Sequence, residues 1–197
     1  VILVSSSGPG EGKTTTVANL AITYANLGKK TLLVDSDLRK PVVHKVFDID
    51  KTPGLTSYLS NNIKNVSKII NQTGIDNLDV ISSGIVPPNP SELLDSDNMI
   101  NFIESVKDNY DIIFFDSPPL LAVTDAYVLM KYIDQFVLVV RSGVTERGGL
   151  DRVLKSINQA KYSIEGIVLN DMKLEHSYGA GYYYNYYQYY YGDSDVK

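Results

Sequence analysis

The 197-residue sequence contains no cysteine, which excludes disulfide bridges and thiolate metal sites and fits a reducing compartment. Its two histidines, His44 and His176, stand far apart and read as ordinary residues rather than metal ligands. No apolar run approaches the roughly 20 residues needed to span a bilayer. Any membrane connection is therefore expected through a partner or a further part of the protein. Positive charge is in short supply: 18 Lys and Arg face 23 Asp and Glu, a net charge of −5, so nucleic acid is not a favoured partner. There is no initiator methionine and no signal sequence. The chain opens at Val1 inside an apolar run and is expected to be part of something longer.

What is present is the material of one sizeable α/β domain, with 44% hydrophobic residues. Its organising stretch is Ser5 to Thr14, SSSGPGEGKT, between the apolar run Val1–Val4 and an amphipathic segment. Strand, glycine-rich turn and helix in that order form the context of a phosphate-binding loop. Gly8, Gly10 and Gly12 allow backbone N–H groups to converge on a polyphosphate, and the helix start adds free N–H groups and a positive dipole end. Gly8, Pro9, Gly10, Glu11, Gly12, Lys13, Thr14 and Thr15 are thus the nucleotide-binding candidates. Lys13 would reach the β and γ phosphates, and the Thr14 hydroxyl would ligate Mg²⁺. The pattern departs from GxxxxGK[ST] at one place, where Ser7 stands for the usual glycine or alanine.

The periodicity predicts the rest in chain order. Val17, Leu20, Ala21, Tyr24 and Leu27 mark a helix closed by Gly28. Thr31–Val34 is a strand that ends in Asp35-Ser36-Asp37-Leu38-Arg39-Lys40-Pro41. Residues 54–75 read as two short helices separated by Asn61 and Asn62, and Leu78–Ile81 as a strand. Asn89, Pro90 and Glu92 make a helix start, followed by a helix bearing Met99, Phe102, Ile103 and Val106. Asp111–Phe115 is the most strongly β stretch and ends in Asp116-Ser117-Pro118-Pro119. A helix over 124–133, a strand over 136–140, a helix marked by Leu150, Val153, Leu154 and Ile157, and a strand over 164–169 complete the series. Met99, Met130 and Met172 read as packing residues. This alternation means a doubly wound, mainly parallel sheet flanked by helices.

In such a sheet the carboxyl ends of the strands share one edge, so the loop, Asp35 with Asp37, and Asp116 should meet there. A phosphate cradle, acids for a Mg²⁺ shell and a base to orient a nucleophile are the parts of a phosphoryl-transfer site. Asp116 is the natural Walker B residue. The domain is read as residues 1–174. From Glu175 on, tyrosines interleaved with Gly, Ala, Asn and Gln follow no helical or strand period, so 175–197 is read as a flexible, low-complexity tail.

LLVDSDLRKP, FFDSPP, VPPNPSELL, the Ser-rich GPGEGKT loop and the terminal tyrosines together resemble the bacterial tyrosine kinases of capsule and exopolysaccharide synthesis, a branch of the P-loop ATPases. The resemblance implies an ATP- and Mg²⁺-dependent protein-tyrosine kinase. In it Lys13 contacts phosphate, Thr14, Asp37 and Asp116 form the metal shell, and Asp35 accepts the proton of the incoming tyrosine. Arg39 and Lys40 are implied near the phosphates or a subunit contact, and Asn170 near adenine. The implied acceptors are Tyr182, Tyr183, Tyr184, Tyr186, Tyr187, Tyr189, Tyr190 and Tyr191, modified in trans within a ring of subunits. Implied partners are a membrane-embedded polysaccharide co-polymerase as activator and a cognate tyrosine phosphatase, and the implied location is the cytoplasm, at the inner face of the membrane. Two other functions share the nucleotide site. One is a partition- or septum-type ATPase switch that dimerises on ATP, and the other is a nucleotide-binding scaffold.

Overall fold

Strands that are apolar at every position need cover on both faces. Leu3 and Val4, Leu32 to Val34, and Ile113 to Phe115 are all buried, and they supply the middle of a sheet. The computed structural model describes residues 1–172; the expected tail, with every candidate acceptor tyrosine, lies outside them. The elements in order are β1 (Ile2–Ser6), α1 (Lys13–Asn26), β2 (Thr31–Asp35), α2 (Val43–Val46), α3 (Leu55–Leu59), a 3₁₀ turn (Val66–Lys68) and β3 (Asn71–Gln72). There follow β4 (Leu78–Ile81), α4 (Pro90–Leu94), α5 (Asp97–Lys107), β5 (Ile112–Asp116), α6 (Asp125–Leu129) with a 3₁₀ turn (Met130–Tyr132), β6 (Gln135–Arg141), α7 (Arg147–Gln159) and β7 (Gly166–Asn170).

The sheet order is β3-β4-β2-β5-β1-β6-β7. All pairings are parallel except β3 with β4 at the edge. Because successive side chains alternate faces, each central strand feeds two cores. Leu32, Val34, Ile113, Phe115 and Leu138 pack with α3, α5 and α7, whereas Val4, Leu33, Phe114 and Val139 pack with Val17, Ala18 and Ala21 of α1 and with Val43 of α2. The doubly wound expectation is met.

Three local expectations are corrected. The second helix expected within 54–75 is only a 3₁₀ turn, after which Asn71–Gln72 pairs as the antiparallel edge strand. Two polar residues paired on one side carry no periodicity by which to recognise a strand. Leu27 is 71% exposed, because it caps α1 after the helix has turned past the core. At α4, Asn89 does not cap through its side chain; its amide donates to the Glu92 carboxylate at 2.6 Å.

Tyr110, in the connection to β5, donates its hydroxyl to Asp79 Oδ2 of β4 at 2.8 Å. Burial first, then Asp79, pushes the phenol above its ordinary pKa. A raised folded-state pKa means that this contribution is complete below pH of about 10 and is lost as pH climbs towards the folded value. Tyr110→Phe should therefore cost about 1 kcal/mol at neutral pH and should show a shallower loss of unfolding free energy above pH of about 10, as measured by urea titrations across that range.

Candidate active site

Parallel pairing in register brings the acids together. Val4 of β1 and Asp35 of β2 both lie opposite Asp116, so the tips of β1, β5 and β2 stand side by side. Asp35 and Asp116 are fully buried, and Asp37 is 3% exposed. The Lys13 ammonium lies 3.3 Å from Asp37 Oδ2 and 3.5 Å from Asp116 Oδ1. It also donates to Thr14 Oγ1 at 3.2 Å, and that hydroxyl donates to Asp116 Oδ2 at 2.6 Å. The structure thus gathers Lys13, Thr14, Asp35, Asp37 and Asp116 at one edge.

Each acid is held differently. Asp37 Oδ1 accepts the backbone N–H groups of Arg39 and Lys40 at 3.3 and 3.0 Å, which leaves Oδ2 for Lys13. Asp35 accepts from the backbone of Asp37 at 3.2 Å and of Val43 at 3.1 Å. Burial, and then the neighbouring Asp116 charge, raises the Asp35 pKa well above the usual carboxylate range. Burial also raises Asp116, against the pull of Lys13 and Thr14. For Lys13 burial alone would lower the pKa, but Asp116 and Asp37 outweigh it and the net shift is upward.

Asp116 Oδ1 is buried without a hydrogen-bond donor. A carboxylate oxygen with no hydrogen bond and only the Lys13 ammonium near it, beside a threonine hydroxyl and a second carboxylate, is part of a set of hard oxygen donors, which fits Mg²⁺. Among the described residues no group of three or more His, Cys, Asp or Glu could hold a metal ion.

The loop that cradles the phosphates is fixed from behind. Glu11, 3% exposed, turns its carboxylate under the loop, where it accepts from Ser7 N at 2.9 Å, from Ser7 Oγ at 2.8 Å and from Thr145 Oγ1 at 2.8 Å. Ser7, the apparent departure from the loop pattern, is thus a partner of Glu11. Arg141 Nη1 donates to the Gly10 carbonyl at 3.0 Å, and Asn170 Nδ2 donates to the Glu11 carbonyl at 3.0 Å. Gly12 has φ +94°, a backbone conformation that favours glycine, and a Cβ there would sit 2.1 Å from Asn170 Nδ2, so that side chain would have to leave the loop. With loop carbonyls drawn backwards, the backbone bond Thr16 N to Gly12 O, 2.9 Å, is the first of α1, and the N–H groups of Lys13, Thr14 and Thr15 are free at the helix start.

Several expected site residues are engaged within the protein itself or fall outside the described residues. The Glu11 side chain faces away from the cradle, so only its backbone is available to a nucleotide. Asn170, expected near adenine, is spent at its amide nitrogen on the loop. Arg39, expected near the phosphates or a subunit contact, directs its guanidinium to Asp125 at 2.9 and 3.0 Å, because a fully buried carboxylate demands a charged partner. The acceptor tyrosines fall outside the described residues. Sequence reading missed Thr145, Arg141 and Asp125. Thr145, Arg141 and Asp125 lie 134, 131 and 86 positions from Glu11, Gly10 and Arg39, so no local pattern could announce these contacts.

A family model described as an AAA domain matches residues 1–169. The chain is 41% identical to the tyrosine-protein kinase YwqD of Bacillus subtilis over 182 residues, 92% of this chain and 76% of that protein. It is 37% identical to a putative tyrosine-protein kinase in the cps region of Klebsiella pneumoniae over 91% of this chain, yet it spans only 25% of that protein's length. Among solved structures, the kinase domain of Escherichia coli tyrosine kinase ETK is similar at TM-score 0.83 and 34% identity, covering 90% of this chain and 70% of that one. A Pyrococcus horikoshii septum site-determining protein complexed with Mg-ADP is less similar, at TM-score 0.71 and 27% identity over 85% of this chain and 68% of that one.

Removing the carboxylate under the loop should act on stability and on nucleotide affinity together. Glu11→Ala strands three donors and is expected to cost about 2 to 3 kcal/mol in unfolding, with a clear loss of ADP affinity. Thr145→Val should move both in the same direction by less. Thermal melts and calorimetric ADP titrations check this, and unchanged ADP affinity in folded Glu11→Ala would refute the role of the strut.

Proposed function

Because this chain belongs to the bacterial tyrosine-protein kinases, we propose that it transfers the γ-phosphoryl group of ATP to tyrosine hydroxyls, including those of its own residues 182–191. In this reading it regulates capsule or exopolysaccharide production. The observation that carries the proposal is the meeting of Lys13, Thr14, Asp37 and Asp116 within hydrogen-bond or ion-pair distance, directly under the loop.

The loop N–H groups and Lys13 hold and orient the phosphates, and this positioning is the larger part of phosphoryl-transfer catalysis. Thr14, Asp37 and Asp116 would hold Mg²⁺, which when bound neutralises charge on the transferring phosphoryl group. Asp35 takes the phenolic proton. Forming a free phenolate at neutral pH would cost roughly 4 kcal/mol, and a carboxyl whose affinity for protons is raised by burial is better matched to that task. Its two oxygens each accept one backbone N–H, from Asp37 and from Val43, and each keeps a further lone pair for the hydroxyl.

The residues following Asn170 reach on the order of 90 Å when extended, far enough for transfer to a neighbouring subunit in a ring. Among the described residues no helix is long and apolar enough to cross a membrane. Recruitment to the inner face of the membrane is assigned to a polysaccharide co-polymerase acting as activator, and reversal to a tyrosine phosphatase.

Incubation with Mg²⁺ and labelled ATP, followed by mass spectrometry of residues 182–191, tests the reading. Phosphotyrosine there is the expected result, whereas phosphate release without it would mean an ATPase switch, and neither would mean a scaffold. Asp35→Asn should keep ATP binding and lose tyrosine phosphorylation; unchanged phosphorylation would refute its role. Each phosphotyrosine adds about 1.5 to 2 negative charges to an already acidic chain, so phosphorylation should disassemble the ring. Light scattering before and after phosphatase treatment checks this, and an unchanged mass would count against it.

A further inference from the structure

The motif Val-Pro-Pro-Asn-Pro-Ser-Glu at 86–92, which opens α4, has had no part in the site so far. Its serine makes two hydrogen bonds that give it one. Ser91 Oγ donates to Asp125 Oδ1 at 2.6 Å and accepts from Arg39 Nη2 at 3.2 Å. Arg39 Nε and Nη2 donate in turn to the two oxygens of Asp125 at 2.9 and 3.0 Å. The carboxylate is fully buried, while the Arg39 side chain is 39% exposed. A charge enclosed in this way is a poor source of net stability, but a two-pronged guanidinium fork fixes orientation well.

What the fork orients follows from the chain path. Arg39 belongs to the connection after β2, whose turn fixes Asp37: Asp37 Oδ1 takes the backbone N–H groups of Arg39 and Lys40. Asp125 closes the connection that leaves β5 at Asp116. The ion pair therefore joins the middle of the connection after β2, two residues beyond Asp37, to the far end of the connection that leaves Asp116, the two carboxylates assigned to Mg²⁺.

We propose that Asp125 and Ser91 are positioning residues which, through Arg39, hold Asp37 at the right place and angle relative to Asp116 for a metal–nucleotide complex. This rests on the reading of the site as a Mg²⁺–nucleotide site. The three side chains come from separate segments, after β2, in α4 and in α6, so the arrangement also ties the PNPSE helix to the chemistry.

The test separates metal binding from nucleotide binding in the full chain. Mn²⁺ serves as the probe, and its dissociation constant at saturating ADP is read by electron paramagnetic resonance. ADP affinity in excess EDTA is read by calorimetry, and folding by thermal melts. Asp125→Asn should weaken Mn²⁺ about tenfold, the lower end of what loss of a residue supporting a metal ligand costs, while metal-free ADP affinity stays as in the unaltered protein. Ser91→Ala, which strands no charge, should shift Mn²⁺ in the same direction by less. Arg39→Lys should weaken Mn²⁺ binding although it keeps the charge, since an ammonium lacks the fork.

A folded variant with unchanged Mn²⁺ affinity, or with metal-bound and metal-free affinities reduced alike, would overturn the proposal. Should Asp125→Asn not fold, Ser91→Ala and Arg39→Lys decide by the same comparison. If the unaltered chain binds no ADP, the reading of the site falls with it. If the unaltered chain binds Mn²⁺ and ADP and the variants match it, only the positioning role falls.

Discussion

Asp35 and Asp116 stand opposite each other at the tips of adjacent parallel strands, with Asp37 two residues on, and none of the three meets appreciable solvent. One ammonium, that of Lys13, lies among them. Three carboxylates and one lysine cannot all be charged at low cost in an enclosed site, and the raised pKa values of Asp35 and Asp116 express that cost. The imbalance favours any added cation that can reach the edge of the sheet. A divalent ion carried in on phosphates supplies two charges at the place where they are missing. The loop above adds N–H donors for an anion, so the negative cluster and the anion cradle suit a cation and an anion side by side.

This cluster is usable only because the loop keeps its shape. Backbone carbonyls of Gly10 and Glu11 are claimed by Arg141 and Asn170, and the Glu11 carboxylate is claimed by Ser7 and Thr145. The ends of β6 and β7, together with the turn after β6, therefore act as the rear wall of the cradle. A second set of contacts closes the opposite side: Leu120 and Leu121 donate backbone N–H groups to Ser6 and Ser7 at 2.9 and 3.0 Å, and Ser5 Oγ donates to the Pro118 carbonyl at 2.8 Å. The segment following Asp116 is thus stitched to the strand that leads into the loop.

The same P-loop architecture serves kinases and ATPase switches, and the solved relatives include both kinds. What the sequence adds to the shared nucleotide site is a tyrosine-rich stretch that begins shortly after β7. The chain's higher similarity to the kinase domains agrees with that distinction.

Much of this was written locally in the chain. Apolar strands ending in Asp, a glycine-rich turn before a helix, and regular alternation of β and α patterns determined the sheet, its parallel sense and the meeting of Lys13, Asp37 and Asp116 at one edge, because short-range periodicity and the geometry of parallel sheets leave little choice. The sequence could not disclose which polar side chains would find each other across more than 80 positions. Glu11, read as a phosphate neighbour, turns its carboxylate to Thr145, and Arg39, read as lying near the phosphates or a subunit contact, is bound to Asp125. Those outcomes belong to tertiary structure alone: a buried charge or N–H group must be satisfied by whatever the fold places beside it, and that neighbour is set by packing rather than by the residues on either side in the chain.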